Sequence, residues 1–194
     1  MNLQNPKKFK MMVDQAHEVA LNVLRPISRK YDKAEHAYPK ELDMLASLID
    51  GMNEGGEGIN AGAAVGKRGE TESGNKNGNN MSTALGIIEM CYGDTGLLLS
   101  MPRQGLGNSA IAAVANDEQL ERFKGTWAAM AITEPGCGSD SAAIRTTATQ
   151  DGDEYILNGE KIFVTSGDRA DSVVVWATLD KKLGRAAIKS FVVP

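Results

Sequence analysis

Met130-Ala131-Ile132-Thr133-Glu134-Pro135-Gly136-Cys137-Gly138-Ser139-Asp140 stands just past the point where helical periodicity gives way to strand periodicity. It holds a hydroxyl residue, a Pro-Gly turn, a further glycine and a Ser-Asp pair. Glycine has no Cβ and tolerates positive φ, so such a turn can bring backbone N–H groups close to a ligand. The hydroxyls of Thr133 and Ser139 flank those amides, which suits a polar planar ring or a pyrophosphate. Residue chemistry by itself defines a ligand-binding turn and no particular ligand.

Upstream of the turn the pattern is helical. Over residues 6–49, Asn5 can cap, Pro6 fits a first helical position, and Phe9, Met12, Val13, Ala16, Val19, Ala20, Val23 and Leu24 form one stripe. Pro26 is expected to kink or end that helix. A second helix is expected over 39–49, with Leu42, Leu45, Leu48 and Ile49 as its apolar face. Residues 51–80 carry nine glycines and are expected to form a mobile loop. Helical pattern resumes over 82–92, 94–101, 107–115 and 117–123.

Downstream the period changes to two. Residues 145–150, 154–157, 160–165, 172–178 and 187–193 read as short strands, with Asp151-Gly152 and Asn158-Gly159 as hairpin turns. The expectation is an α+β chain: an all-α helical domain over 1–126, then a partial antiparallel β-barrel-like domain over 127–194.

Composition narrows the class. The 194 residues are 42% hydrophobic and 24% charged, which favours a packed core over disorder. The formal net charge of −4, without a dense basic cluster, gives no reason to expect nucleic acid. Two cysteines, Cys91 and Cys137, make no disulfide framework, so a reducing, cytoplasmic compartment is the expectation. No apolar run approaches the ~18 residues that span a bilayer, and the N-terminus lacks a signal-peptide core.

Several motifs read better as something other than sites. Ala61-Gly62-Ala63-Ala64-Val65-Gly66-Lys67-Arg68 approaches a P-loop, but has Ala for the first Gly, Arg for the final hydroxyl residue, and no preceding strand. Gly105-Leu106-Gly107-Asn108-Ser109-Ala110 imitates a dinucleotide fingerprint without its βαβ context, so a helix connection is preferred. His17 and His36 have no partner at metal-ligand spacing, and no metal is expected. Ser139 is followed by no histidine, which leaves no Ser-His-Asp order. Cys137 reads as a small filler in a tight turn rather than a reactive thiol.

Alternation along residues 160–165 would put Lys161, Phe163 and Thr165 on one face. They would then offer an aromatic wall and a hydroxyl to one ligand, although taken alone the pattern reads better as an ordinary amphipathic hairpin strand.

Two motifs at this separation bear a family likeness. The stretch 130–140 resembles the T-E-P-x-x-G-S-D signature of FAD-dependent acyl-CoA dehydrogenases. Asn158-Gly159-Glu160-Lys161-Ile162-Phe163-Val164-Thr165-Ser166-Gly167 is similar to that family's N-G-x-K-x-(W/F)-(I/V)-T-(N/S) segment. Arg25-Pro26 and Asp117-Glu118-Gln119 also fit its layout. The resemblance implies an FAD site of Met130, Ala131, Ile132, Thr133, Gly138, Ser139, Phe163, Val164 and Thr165. Thr133 would face the pyrimidine edge of the flavin, Gly138 and Ser139 its pyrophosphate, Phe163 one ring edge, and Thr165 the N5 nitrogen. Ser139 would also meet the acyl-CoA substrate, and Arg185 could meet a CoA phosphate.

The implied reaction is α,β-dehydrogenation of an acyl-CoA thioester, with electrons leaving to an electron-transfer flavoprotein and the chains forming a homodimer or homotetramer. The family's catalytic glutamate is expected beyond Pro194, so no catalytic residue is assigned here, and Glu134 reads as structural. Three alternatives stay open: an inactive part of the enzyme, a non-catalytic flavin or subunit-interaction module, and an acyl-CoA oxidase or flavin monooxygenase of the same superfamily.

Overall fold

The structure, a computed structural model, describes residues 7–54, 79–102 and 106–194. They fall into two compact units, one below residue 103 and one from residue 106 onward.

The first unit is helical. A 3-10 turn, Lys7–Phe9, leads into α1 (Lys10–Val19), a widened turn (Ala20–Leu24) and α2 (Arg25–Lys33). Then come α3 (Lys40–Glu54), α4 (Asn79–Gly93) and α5 (Thr95–Leu99). The expected stripe faces inward: Val13, Ala16, Ala20 and Leu24 are buried, and Ala16 and Leu24 join Leu42, Leu45, Met90, Leu97 and Met101 in one core. Complete burial of Leu24 and Leu42 stabilises the unit by about 2 kcal/mol apiece.

Pro26 does not end the helix. The turn before it widens to π geometry, with the Arg25 N–H donating to Ala20 O, five residues back. A proline ring removes one backbone donor and crowds the carbonyl four residues earlier, and the wider turn absorbs that misfit while α2 continues to Lys33.

Other boundaries shift too. α3 runs to Glu54, and Leu48, expected on its apolar face, is 63% exposed. Within the expected loop 51–80, residues 51–54 and 79–80 are helical. The rest of that loop, the 61–68 motif, Asn5 and Pro6 lie outside the described residues.

The second unit sets helices α6 (Leu106–Val114) and α7 (Asp117–Arg122) with a five-stranded sheet. Its strands are β1 (Ala128–Ala131), β2 (Thr147–Asp151), β3 (Glu154–Asn158), β4 (Ser172–Thr178) and β5 (Ile188–Val193). Of the Gly105–Ala110 motif, the described residues 106–110 open α6, as a helix connection requires. A Cβ on Gly107 would fall 2.3 Å from Ala129 O and 2.4 Å from Ala128 O, so glycine there lets α6 lie directly on β1. Ile111, Ala128 and Val174 form the core beneath it.

The α+β class holds, but the sheet is mixed where an antiparallel one was expected. β4 pairs parallel with β1 (Ala128↔Ser172 to Ala131↔Val175) and antiparallel with β5 (Val173↔Val193 to Thr178↔Ile188). The antiparallel β2–β3 hairpin joins β4 through a parallel Thr147↔Thr178 pair. A Gly152-Asp153 turn closes that hairpin, one residue on from the expected Asp151-Gly152, because Asp151 is still paired with Glu154. Asn158-Gly159 closes none, because residues 160–165 are not a strand.

Candidate functional site

The turn at 130–140 leaves the end of β1 and folds back on itself. Glu134 N–H donates to Cys137 O at 3.0 Å and Cys137 N–H to Glu134 O at 3.1 Å, with Pro135 and Gly136 at the tip. Met130, Ile132 and Thr133 are half-buried, Ala131 is buried, and Gly138 and Ser139 are exposed. Among the described residues nothing within 4 Å meets a Cβ built on Gly136 or Gly138, so no described neighbour demands glycine at either position.

Glu134 gathers the surroundings. Its carboxylate, 6% exposed, accepts from Arg145 N (2.6 Å), Thr146 N (2.9 Å), Thr146 Oγ1 (2.6 Å) and Lys161 Nζ (2.8 Å). Cys137 Sγ adds a weak thiol contact at 3.8 Å. Burial alone would raise the carboxyl's pKa. The Lys161 ammonium, the Thr146 hydroxyl and amide, and the Arg145 amide together outweigh it and hold the group at about 2. A carboxylate so saturated and so acidic is an anchor; a general base needs a pKa near its working pH and an open face.

The strand expected at 160–165 gives way to an irregular arm. Ile162 N–H donates to Thr133 O at 2.9 Å, and Lys161 Nζ also donates to Ile132 O at 2.9 Å. The arm leaves Gly159, where a Cβ would stand 2.4 Å from Thr146 Oγ1, so only glycine lets the chain pass this close to a partner of Glu134. Phe163 then takes φ 56 and Ser166 φ 57, in the left-handed region. That reversal breaks the alternation: the Lys161 side chain is 9% exposed, whereas Phe163 is 88% exposed. The shared face of Lys161, Phe163 and Thr165 therefore does not exist. Lys161 points in to the anchor and Phe163 points out. Val164 and Thr165 follow half-buried.

A cleft of about 190 Å³ opens beside this turn, lined by Ile144, Arg145, Thr178, Lys181, Gly184 and Ile188 among others. Thr178 is 3% exposed and its hydroxyl has no protein partner. Arg185, the sequence candidate for a phosphate contact, is exposed in the adjoining Lys181–Ala187 segment. Sequence reading missed Arg145, Thr178 and Lys181, which converge on one cleft from two stretches of chain, before β2 and from the end of β4 onward. It also missed the inward role of Lys161. No cluster of three or more potential metal ligands occurs among the described residues, and no described helix is long and apolar enough to cross a membrane.

A helical unit followed by an unclosed mixed sheet, with a buried Glu–Lys anchor under a glycine turn, defines the class of chain. Residues 129–194 match the acyl-CoA dehydrogenase middle domain. The chain is 33% identical over 190 residues to a 3-(aryl)acrylate reductase of Clostridium sporogenes, an alignment covering 92% of this chain and 45% of that protein. It is 28% identical over 201 residues to a short-chain-specific acyl-CoA dehydrogenase of Clostridium acetobutylicum, covering 100% and 49%. The solved butyryl-CoA dehydrogenase of Megasphaera elsdenii superposes with a TM-score of 0.75 at 27% identity, covering 100% of this chain and 50% of that one. The chain belongs to the acyl-CoA dehydrogenase family. It spans about half the length of the curated relatives it matches.

Proposed function

We propose that the protein containing this chain is an FAD-dependent acyl-CoA dehydrogenase, with residues 127–194 forming part of its flavin-binding middle domain. The single observation that carries the reading is the pairing of two shapes in one place. An exposed, strained Phe163 stands on an arm bonded to Thr133, next to a turn whose Gly136 and Gly138 leave open the space a Cβ would fill. Together they fit a flat aromatic ring and its polar tail.

In this reading Met130, Ile132, Thr133 and Val164, with Ala131 beneath them, line the ring wall. Thr133 and Thr165 supply hydroxyls to ring heteroatoms, and Phe163 shields an apolar edge. Gly138 and Ser139 offer backbone and hydroxyl donors to a pyrophosphate, with Ser139 shared with the substrate. Bound there, FAD would supply the two-electron acceptor for the CH–CH bond of an acyl-CoA thioester. The chain's own part is to orient that thioester and keep water from it. The cleft suits the CoA phosphates: Arg145 and Lys181 bring positive charge, and the buried Thr178 hydroxyl lacks a partner. Glu134 is not the base that takes the α-proton; its lone pairs are occupied. An electron-transfer flavoprotein as acceptor, a cytoplasmic location and a homodimeric or homotetrameric assembly complete the proposal.

The relative named 3-(aryl)acrylate reductase favours one second reading, reduction of an α,β-unsaturated acid derivative at the same wall. Purified protein with its bound flavin decides between them. Dye reduction on adding saturated acyl-CoA is the result expected. Reoxidation of reduced flavin by an unsaturated acid, without acyl-CoA turnover, would reverse the assignment, and protein lacking flavin altogether would end it.

A further inference from the structure

Lys161 and Glu134 stand out because nothing in the flavin reading uses them, yet they form a buried ion pair, while the other ion pairs among the described residues lie nearer the surface. Both side chains are at least nine-tenths buried, at 9% and 6% exposure. Their bonds reach in two directions. Lys161 Nζ holds Ile132 O at 2.9 Å on the β1 side, and Glu134 holds Arg145 and Thr146 at the entry to β2. One residue on from Lys161, Ile162 N–H bonds Thr133 O, and one residue further Phe163 adopts φ 56 with its ring in solvent. A bulky residue keeps such a backbone only where its surroundings over-determine it. The restraints on the near side of Phe163 are these bonds, and on the far side Gly167 N–H closes onto Val164 O at 3.1 Å.

We propose that Lys161 and Glu134 are positioning residues for the cofactor: their buried pair sets the Phe163–Thr165 arm against the Ile132–Thr133 strand end so that both walls meet one ring. The proposal rests on the flavin reading above. It assigns the pair no contact with the ring. Its effect passes through backbone: shifting Lys161 moves Ile132 O and the register of Ile162, and so the place where Phe163 emerges. The pair works as a fixed distance between two walls, which a polar packing role alone would not require.

The test uses the full protein and three variants. Lys161→Met with Glu134→Gln removes both charges together and avoids a lone buried carboxylate. Lys161→Met alone leaves one, and Lys161→Arg keeps the positive charge. FAD affinity is read by flavin fluorescence titration, the ring environment by the flavin absorption spectrum, and the fold by thermal unfolding. The arm is read separately by the rate of chymotrypsin cleavage after Phe163. The double variant is expected to melt within a few degrees of the parent, yet bind FAD at least tenfold more weakly. Its flavin spectrum should shift and cleavage after Phe163 should accelerate, with Lys161→Arg restoring most of both. A double variant with the parent's FAD affinity, spectrum and cleavage rate overturns the proposal while leaving the flavin reading intact. Weaker FAD binding that tracks melting temperature across the three variants, with no added cleavage at Phe163, also overturns it. A parent protein that binds no FAD overturns both.

Discussion

Asn108 stands in for a neighbouring strand along the edge of β1. From α6 it donates through Nδ2 to Thr126 O at 2.6 Å and accepts from Ala128 N at 2.9 Å through Oδ1, while itself 3% exposed. The helix thereby supplies backbone-like hydrogen bonds to a strand whose alanines have little side chain to pack.

Asn108→Ala removes the partner of the buried Ala128 N–H and of the half-buried Thr126 C=O. Each unsatisfied group costs about 1–3 kcal/mol, so a loss of about 2–4 kcal/mol in unfolding free energy is expected from denaturant titration. A loss below about 1 kcal/mol would show that water replaces the amide.

Acid should weaken the second unit through Glu134. Its folded pKa is about 2 against an ordinary 4.5, so its contribution is fully present above about pH 4.5 and is lost as pH falls through about 2. A difference of that size corresponds to about 3 kcal/mol. Glu134→Gln should flatten the stability–pH curve between those two values, measured by urea unfolding at a series of pH values. An unchanged slope would mean the carboxyl is equally acidic in the unfolded chain.

Phe163→Gly should stabilise the protein and damage it at once. The ring is 88% exposed, so little packing is lost, and glycine accepts φ 56 without strain. Relief of about 1–2 kcal/mol of left-handed backbone strain exceeds the about 0.4–1 kcal/mol that glycine costs through the entropy of the unfolded chain, so the thermal midpoint should rise slightly while FAD affinity falls. A variant that loses both stability and affinity would show that Phe163 packs somewhere in the native protein.

Arg145→Ala with Lys181→Ala should weaken acyl-CoA binding about tenfold or more, since hydrogen bonds to charged groups contribute about 1.5–3 kcal/mol each. FAD affinity should stay near the parent value, and the salt dependence of CoA binding should flatten. Equal losses for both ligands would place the two charges elsewhere.

Local patterns were legible and distant pairings were not. The β2–β3 hairpin announces itself through Thr, Tyr and Ile around Gly152, and Val173, Val174 and Val175 mark β4. β1 escaped because Ala128, Ala129 and Ala131 are poor strand formers; small residues are selected there by α6 lying against them at Gly107. Its parallel pairing with β4 joins residues over forty positions apart, which no short-range period encodes. The arm was misread as a strand for the opposite reason. Lys161 to Thr165 alternate well, but Phe163 reverses the backbone, and φ 56 at a phenylalanine has no signature in composition. Motif resemblance therefore names the residues of the proposed flavin wall, whereas strand alternation does not account for Phe163 and Thr165.

The bonds on Glu134 also say when this region forms. Its partners lie 11, 12 and 27 residues along the chain, whereas the β2–β3 hairpin closes over a two-residue turn. Short loops close with less entropy lost than long ones, so the hairpin can nucleate early and the anchor must wait for three segments to arrive. In a pulse-labelled refolding experiment, amide protection at Arg145, Thr146 and Ile162 should rise together, after that of Thr149 and Ile156. Assembly of the wall is then a late event in folding, and a cofactor that binds it acts on a chain already largely folded.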